Sequence, residues 1–279
     1  MTSEAVAVPP GVLVEEVPRL PLPRLAAGYG ATVTAIAGAE IQRVRREPSV
    51  LLTRVAQPLL WLLVFGAALS QARNLTTGAV SYQAFIVPGV LAQSVLFIAI
   101  FSGLSIIWER DLGITQRILV APVFRSAIVL GKAFGAGLRA LVQVAVVLVV
   151  VALVRIDVHW SVLSVAGTLA TTVLGAVLLS AVSMVIASAV RSREQFMGIG
   201  QLVTLPLFFA SNALYAISIM PAWLRAVAYA NPLTYEVEIM RRLLLEVGPN
   251  RLVLDVAVLV GGTVVAVAAA TRLYPRRVM

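Results

Sequence analysis

Read for the spacing of apolar and polar positions, the chain resolves into six long apolar runs, at about residues 50–70, 83–107, 136–154, 161–190, 196–217 and 252–270. Each is near the roughly 20 residues that a helix rising about 1.5 Å per residue needs to cross about 30 Å of hydrocarbon. The fourth is longer, and is expected to tilt or to continue past the bilayer. Residues 29–48 follow a different pattern. Val33, Ile36, Ile41 and Val44 stand against Glu40, Gln42, Arg43, Arg45 and Arg46, which predicts an amphipathic helix lying in the membrane interface and ended by Pro48. Residues 1–28, rich in Pro and Val and carrying Glu4, Glu15 and Glu16, lack the layout of a signal peptide and are expected to form a disordered cytoplasmic tail. Residues 271–279 form a short cytoplasmic tail at the other end.

Composition supports the same class. With 60% hydrophobic residues, 13% charged residues and a mean hydropathy of +0.96, the chain is too apolar for a soluble domain and reads as an all-α integral membrane protein. The net charge of +9 does not signal nucleic acid, because the basic residues sit at the ends of apolar runs instead of beside aromatic groups on a solvated face. Their distribution sets topology. With the N-terminus inside, 16 of the 22 Lys and Arg fall on the cytoplasmic side and 6 on the other, so both termini are expected in the cytoplasm. Tyr82, Trp160 and Trp223 near the outer ends and Trp108 and Tyr274 near the inner ones fit interfacial aromatic belts.

Candidate chemistry is sparse. Cysteine is absent, the GxxxxGK[ST], HExxH and GxSxG patterns do not occur, and His159 is a lone histidine in a short turn. No Asp or Glu falls in the middle of an apolar run, which disfavours a proton-coupled secondary carrier, and the missing constellation disfavours a membrane-embedded enzyme. The polar groups inside the runs are neutral. Gln93, Ser94, Gln201, Thr204 and Asn212 either hydrogen-bond between helices or line a substrate path. Gly131 and Gly135 make a GxxxG pair that permits close helix approach.

The connection between the second and third runs is the most distinctive segment. Glu109, Arg110 and Asp111 stop the second run at the cytoplasmic surface, Pro122 interrupts the short amphipathic piece that follows, and Arg125, Lys132 and Arg139 recur every seven residues on one helical stripe. The pattern describes a bent helical elbow with charged edges, or an ordinary basic loop obeying the positive-inside rule. The order Glu109-Arg110-Asp111-x-Gly113, then Ala121-Pro122, then Leu130-Gly131-Lys132 resembles the type-2 export family of ABC transporter permeases, in particular its daunorubicin-resistance-like branch. Arg46-Glu47-Pro48, Gln57-Pro58-Leu59-Leu60-Trp61, Pro88-Gly89 with Gln93, and Asn231-Pro232-Leu233-Thr234 before Arg241-Arg242 agree in order, so the likeness covers about residues 40–279.

That resemblance implies six transmembrane helices with an N-terminal interfacial helix, a cytoplasmic coupling helix in the second-to-third connection and outer re-entrant helices over residues 216–250. It implies a permease subunit of an ATP-driven exporter in a bacterial plasma membrane. ABC ATPase subunits would be its partners, together with a second permease copy or a paralogue, amid membrane lipids. ATP and magnesium would be held by the ATPase and no cofactor by this chain. Glu109, Arg110, Asp111, Gly113, Pro122 and Lys132 would couple the permease to the ATPase, with Arg43, Arg45 and Arg46 as a second contact. The cargo would be an amphipathic drug, natural product or lipid, or, on the same architecture, a polysaccharide or complex lipid.

Overall fold

A computed structural model describes residues 22–46, 48–70, 80–112, 124–248 and 251–273. Every regular element among them is helical. In chain order these are α1 (Leu22–Arg46), α2 (Pro48–Leu60), a π turn (Trp61–Phe65), α3 (Gly66–Ser70), α4 (Tyr82–Asp111) and α5 (Arg125–Leu153). Next come α6 (Val162–Ala189), α7 (Arg193–Phe209), a 3-10 turn (Ile217–Ile219), α8 (Ala222–Ala230), α9 (Pro232–Leu245) and α10 (Leu252–Leu273). Among the described residues α4, α5, α6 and α10 are long and apolar enough to cross a bilayer, while residues 54–68 and the 17-residue α7 are shorter.

Element limits follow local chemistry. Helix α1 starts at Leu22, inside the stretch expected to be a tail, because Pro23 falls in its first turn, where a missing N–H removes no helical bond. Pro58 lies inside α2 and cannot donate to the carbonyl of Arg54 four residues earlier. Gln143 of α5 donates its Nε2 to that carbonyl over a long 3.4 Å, and the ladder widens into the π turn just beyond. Helix α7 stops at Phe209, short of the expected position 217. There the Ser211 hydroxyl donates to the Phe208 carbonyl (2.7 Å) and accepts from the Ala213 N–H (3.2 Å), turning the backbone away from helix.

Helix α6 occupies the centre, packed on α4, α5, α9 and α10, and α1 lies mainly along α5. Lipid tails are as apolar as leucine, so these contacts depend on close approach more than on water exclusion. Glycines supply it at several crossings, two of which bear on the charged residues. A Cβ on Gly131 would come within 2.8 Å of the Ile36 Cβ, and one on Gly135 within 2.7 Å of the Glu40 Cγ, so the GxxxG pair of α5 seats α1. At the second crossing Gly175 of α6 leaves room for the Glu236 carboxylate of α9. The main apolar core joins α4, α5, α6 and α9 around Leu91, Val95, Val147, Leu179, Leu233 and Met240.

The α1 seat gives a direct expectation. Gly131→Ala overpacks the crossing and lowers stability by about 1–3 kcal/mol, visible as a lower thermal midpoint of the detergent-solubilised protein. Adding Ile36→Ala recovers part of that loss. Additive effects of the two substitutions would contradict the crossing.

Candidate functional site

The charges at the end of α4 fold inward. Glu109 is 8% exposed and Lys132 is 6% exposed, so neither ion is solvated, and each is the other's partner: the Lys132 Nζ donates to the Glu109 carboxylate. The pair binds the end of α4 to the second turn of α5. Arg110 points the other way, donating to the backbone carbonyls of Val190 (3.1 Å) and Arg191 (2.8 Å). Those groups close α6, whose last carbonyls have no helical donor and carry the negative end of the helix dipole, so a guanidinium is well placed there. Asp111 accepts from the Arg193 Nε at 2.9 Å, and that guanidinium also lies 5.4 Å from the Trp108 ring centre. Glu109, Arg110 and Asp111 thus hold three neighbours in three directions: α5, the end of α6 and the start of α7.

The seven-residue stripe on α5 divides in the same way. Lys132 faces α4, Arg139 pairs with Glu40 of α1, and Arg125 is exposed. Its first two paired members therefore join helices within the chain. Gly113 and Pro122 lie outside the described residues, as does the rest of 113–123. Arg43, Arg45 and Arg46 belong to the last turns of α1, and their side chains are also outside the described set.

The neutral polar residues do not line one cavity. Ser94 donates to the Val90 carbonyl (3.0 Å) and Thr204 to the Gly200 carbonyl (2.5 Å), so both hydroxyls are spent within their own helices. Gln93 is buried in α4, and its Oε1 has no partner among the described residues, while Gln201 is exposed on α7. Asn212 belongs to a different group. Its Nδ2 donates to the Glu238 carboxylate (3.1 Å), its backbone carbonyl accepts from the Arg241 Nη2 (2.7 Å), and the Arg241 guanidinium stacks 4.0 Å from the centre of Phe85. Asn231 donates to the Leu207 carbonyl (2.6 Å) and caps α9 by accepting from the Leu233 N–H (3.0 Å).

Sequence reading missed a buried carboxylate on the same helix, α9. Glu236 is 1% exposed, lies against Gly175, and its Oε1 has no partner among the described residues. Asp255 is buried too. No apolar run contains a carboxylate in its middle, yet α9, too short to span, carries one into the packed interior. Burial raises the Glu236 carboxyl well above the ordinary carboxylate range. The signal in the sequence was Tyr235-Glu236-Val237-Glu238 beyond the Asn231-Pro232 cap, where one helical face must bury a carboxylate. His159, the lone histidine, is half exposed and 3.6 Å from Glu246.

Comparison with known proteins adds an independent line. The family model described as ABC-2 type transporter matches residues 32–245. A putative transport permease, ycf38, of Pyropia yezoensis is 31% identical over 218 residues, which is 75% of this chain and 72% of that protein. The daunorubicin resistance ABC transporter permease protein DrrB1 of Streptomyces coeruleorubidus is 25% identical over 80% of this chain and 77% of its own length. Nodulation protein J of Rhizobium leguminosarum bv. viciae is 26% identical over 82% of this chain and 88% of its own.

Two predictions follow from the buried charges. Lys132→Met leaves the buried Glu109 carboxyl without its partner and costs about 3–5 kcal/mol in thermal or denaturant unfolding, whereas Glu109→Leu with Lys132→Met restores most of it. Equal losses for the single and double variants would contradict the pairing. For Glu236, the folded protein holds the proton more tightly than the unfolded chain. Its contribution to stability is therefore greatest at low pH and falls as pH rises from the ordinary carboxylate range toward the raised value. Glu236→Gln, neutral at every pH, removes that slope in a pH series of unfolding midpoints, and an unchanged slope would rule the assignment out.

Proposed function

This chain belongs to the ABC-2 type transporter family and is a multi-pass membrane transport permease, and from that premise we propose that it is the membrane subunit of an ATP-driven exporter. In this reading α2 with α3, and α7, complete six crossings, α1 lies in the interface, and α8 with α9 forms a re-entrant outer element. Both termini are cytoplasmic, and the membrane is a bacterial plasma membrane. A separate ABC ATPase holds ATP and magnesium, and two permease copies or paralogues form the pathway.

The observation that carries the reading is the Glu109 knot. A connection between helices that only had to stay in water would need no buried ion pair. Here Glu109, Arg110 and Asp111 join α4 to α5, to the end of α6 and to the start of α7, so a pull on the connection 113–123 reaches four helices at once. That is the coupling an external motor requires, because packed elements move between discrete arrangements and do not bend continuously. Glu109 and Lys132 are accordingly internal transmitters of the movement. The exposed Asp111 and Arg125, together with Gly113 and Pro122 in the connection outside the described residues, are the proposed docking residues, with Arg43, Arg45 and Arg46 as a second contact. The cargo is an amphipathic drug or natural product, in line with the drug-resistance relative, or a lipid. Gln93 and Asn212, both buried and each with an amide oxygen unpartnered among the described residues, are the polar groups proposed to meet it.

A second reading, a proton-coupled carrier, gains one observation: Glu236, buried and partnerless at its Oε1 among the described residues. The two separate cleanly in proteoliposomes. For the exporter, the chain copurifies with an ATP-binding subunit and exports only when that subunit and ATP are present. Transport by this chain alone, driven by a pH gradient and indifferent to ATP, would replace the exporter with the carrier.

A further inference from the structure

Helices α5 and α10 line an open groove of about 520 Å³ at the end that carries the Glu109 knot, within the size range of small-molecule sites. Its length is apolar, with Leu130 on one wall and Val267 and Ala268 on the other. Its end is not: Ser126, Thr271 and Arg272 close it. Thr271 spends its proton on the Val267 carbonyl (2.8 Å). Among the described residues no carboxylate pairs with Arg272, and Arg125, which precedes the groove residue Ser126 in sequence, is exposed. The groove opens along α10, the least buried of the four long apolar helices among the described residues. Helix α10 has only 17% of its apolar window buried, and Val264 and Val265 beside the groove are 64% and 69% exposed.

We propose that this groove binds an anionic phospholipid, one acyl chain lying along Leu130, Val267 and Ala268 and the phosphate facing Arg272. The apolar wall and the basic end are arranged in the order of a lipid, tail in hydrocarbon and headgroup at the membrane surface. A long arginine stem lets the charge reach the headgroup level while its methylenes cover apolar surface. Basic pockets between helix ends recognise anionic headgroups for the same reason. A zwitterionic lipid has the same tail but offers Arg272 no net charge, so headgroup charge decides selectivity.

Native mass spectrometry of the full chain, released from mixed micelles holding equal phosphatidylglycerol and phosphatidylcholine, tests this by counting retained lipid. The wild-type chain retains one phosphatidylglycerol in preference to phosphatidylcholine. Arg272→Gln lowers that preference about fivefold, the effect of one basic residue at a membrane surface. Leu130→Trp fills the groove and removes the bound lipid with Arg272 still present, and Arg251→Gln, at the opposite end of α10, changes neither. Equal retention of the two lipids, or an unchanged preference in Arg272→Gln, overturns the proposal. Displacement of the lipid by millimolar inorganic phosphate alone would also overturn it, since the site would then read only the anion. So would a loss of chain-to-chain association in Arg272→Gln with lipid retention unchanged, because the groove would then seat a second copy.

Discussion

A charge inside a membrane protein must find its counter-charge within the fold, and here that constraint fixes how the helices meet. Glu109 and Lys132 are both almost fully covered, so α4 and α5 cannot separate at this end without stranding an ion. The same rule ties Arg139 to Glu40 and so holds α1 against α5. Arg110 and Asp111 extend the bond to α6 and α7. Apolar packing alone would leave these crossings free to slide, since protein and lipid offer similar contacts. Paired charges supply the register.

Close approach at glycine complements the charges. Gly131 and Gly135 bring α1 near enough for Glu40 to reach Arg139, and Gly175 leaves the volume that the Glu236 carboxylate fills. The molecule thus has an ionic knot around Glu109 at one end of α4, a polar group of Asn212, Glu238 and Arg241 against Phe85 near the other, and Glu236 buried between α9 and α6. Central α6 meets the first through Arg110 at its C-terminal end and Glu236 at its middle. A displacement at one end therefore has a continuous set of packed side chains through which to reach the other, and the proposed transport cycle needs such a set.

Much of the fold was legible because a bilayer writes length and polarity into sequence. Apolar runs of about 20 residues marked α4, α6 and α10 within a few residues and the end of α5, whose helix starts at Arg125, eleven residues before the expected run, because its first turns carry charge. The end of α7 was less legible, since the turn at Ser211 depends on a hydroxyl choosing backbone over solvent. The charged segment 109–132 stood out in the sequence, yet the direction of its side chains did not: the stripe Arg125, Lys132, Arg139 suggested one charged edge, whereas two of its members turn inward to partners 23 and 99 residues away. Such pairings are tertiary and leave no local signature. Glu236 was hidden for the opposite reason, because a carboxylate in a short helix looks like a surface group until neighbouring helices close around it.

The central claim is that the Glu109–Lys132 pair transmits the movement of an external ATPase to the membrane helices. Charge exchange tests it most directly, in proteoliposomes that contain the permease and its ATPase, with ATP-driven export as the readout. Glu109→Lys and Lys132→Glu each place two like charges in one buried site and are predicted to abolish export, while the double exchange rebuilds the pair and restores most of it. Export at the wild-type rate in either single variant would contradict the account.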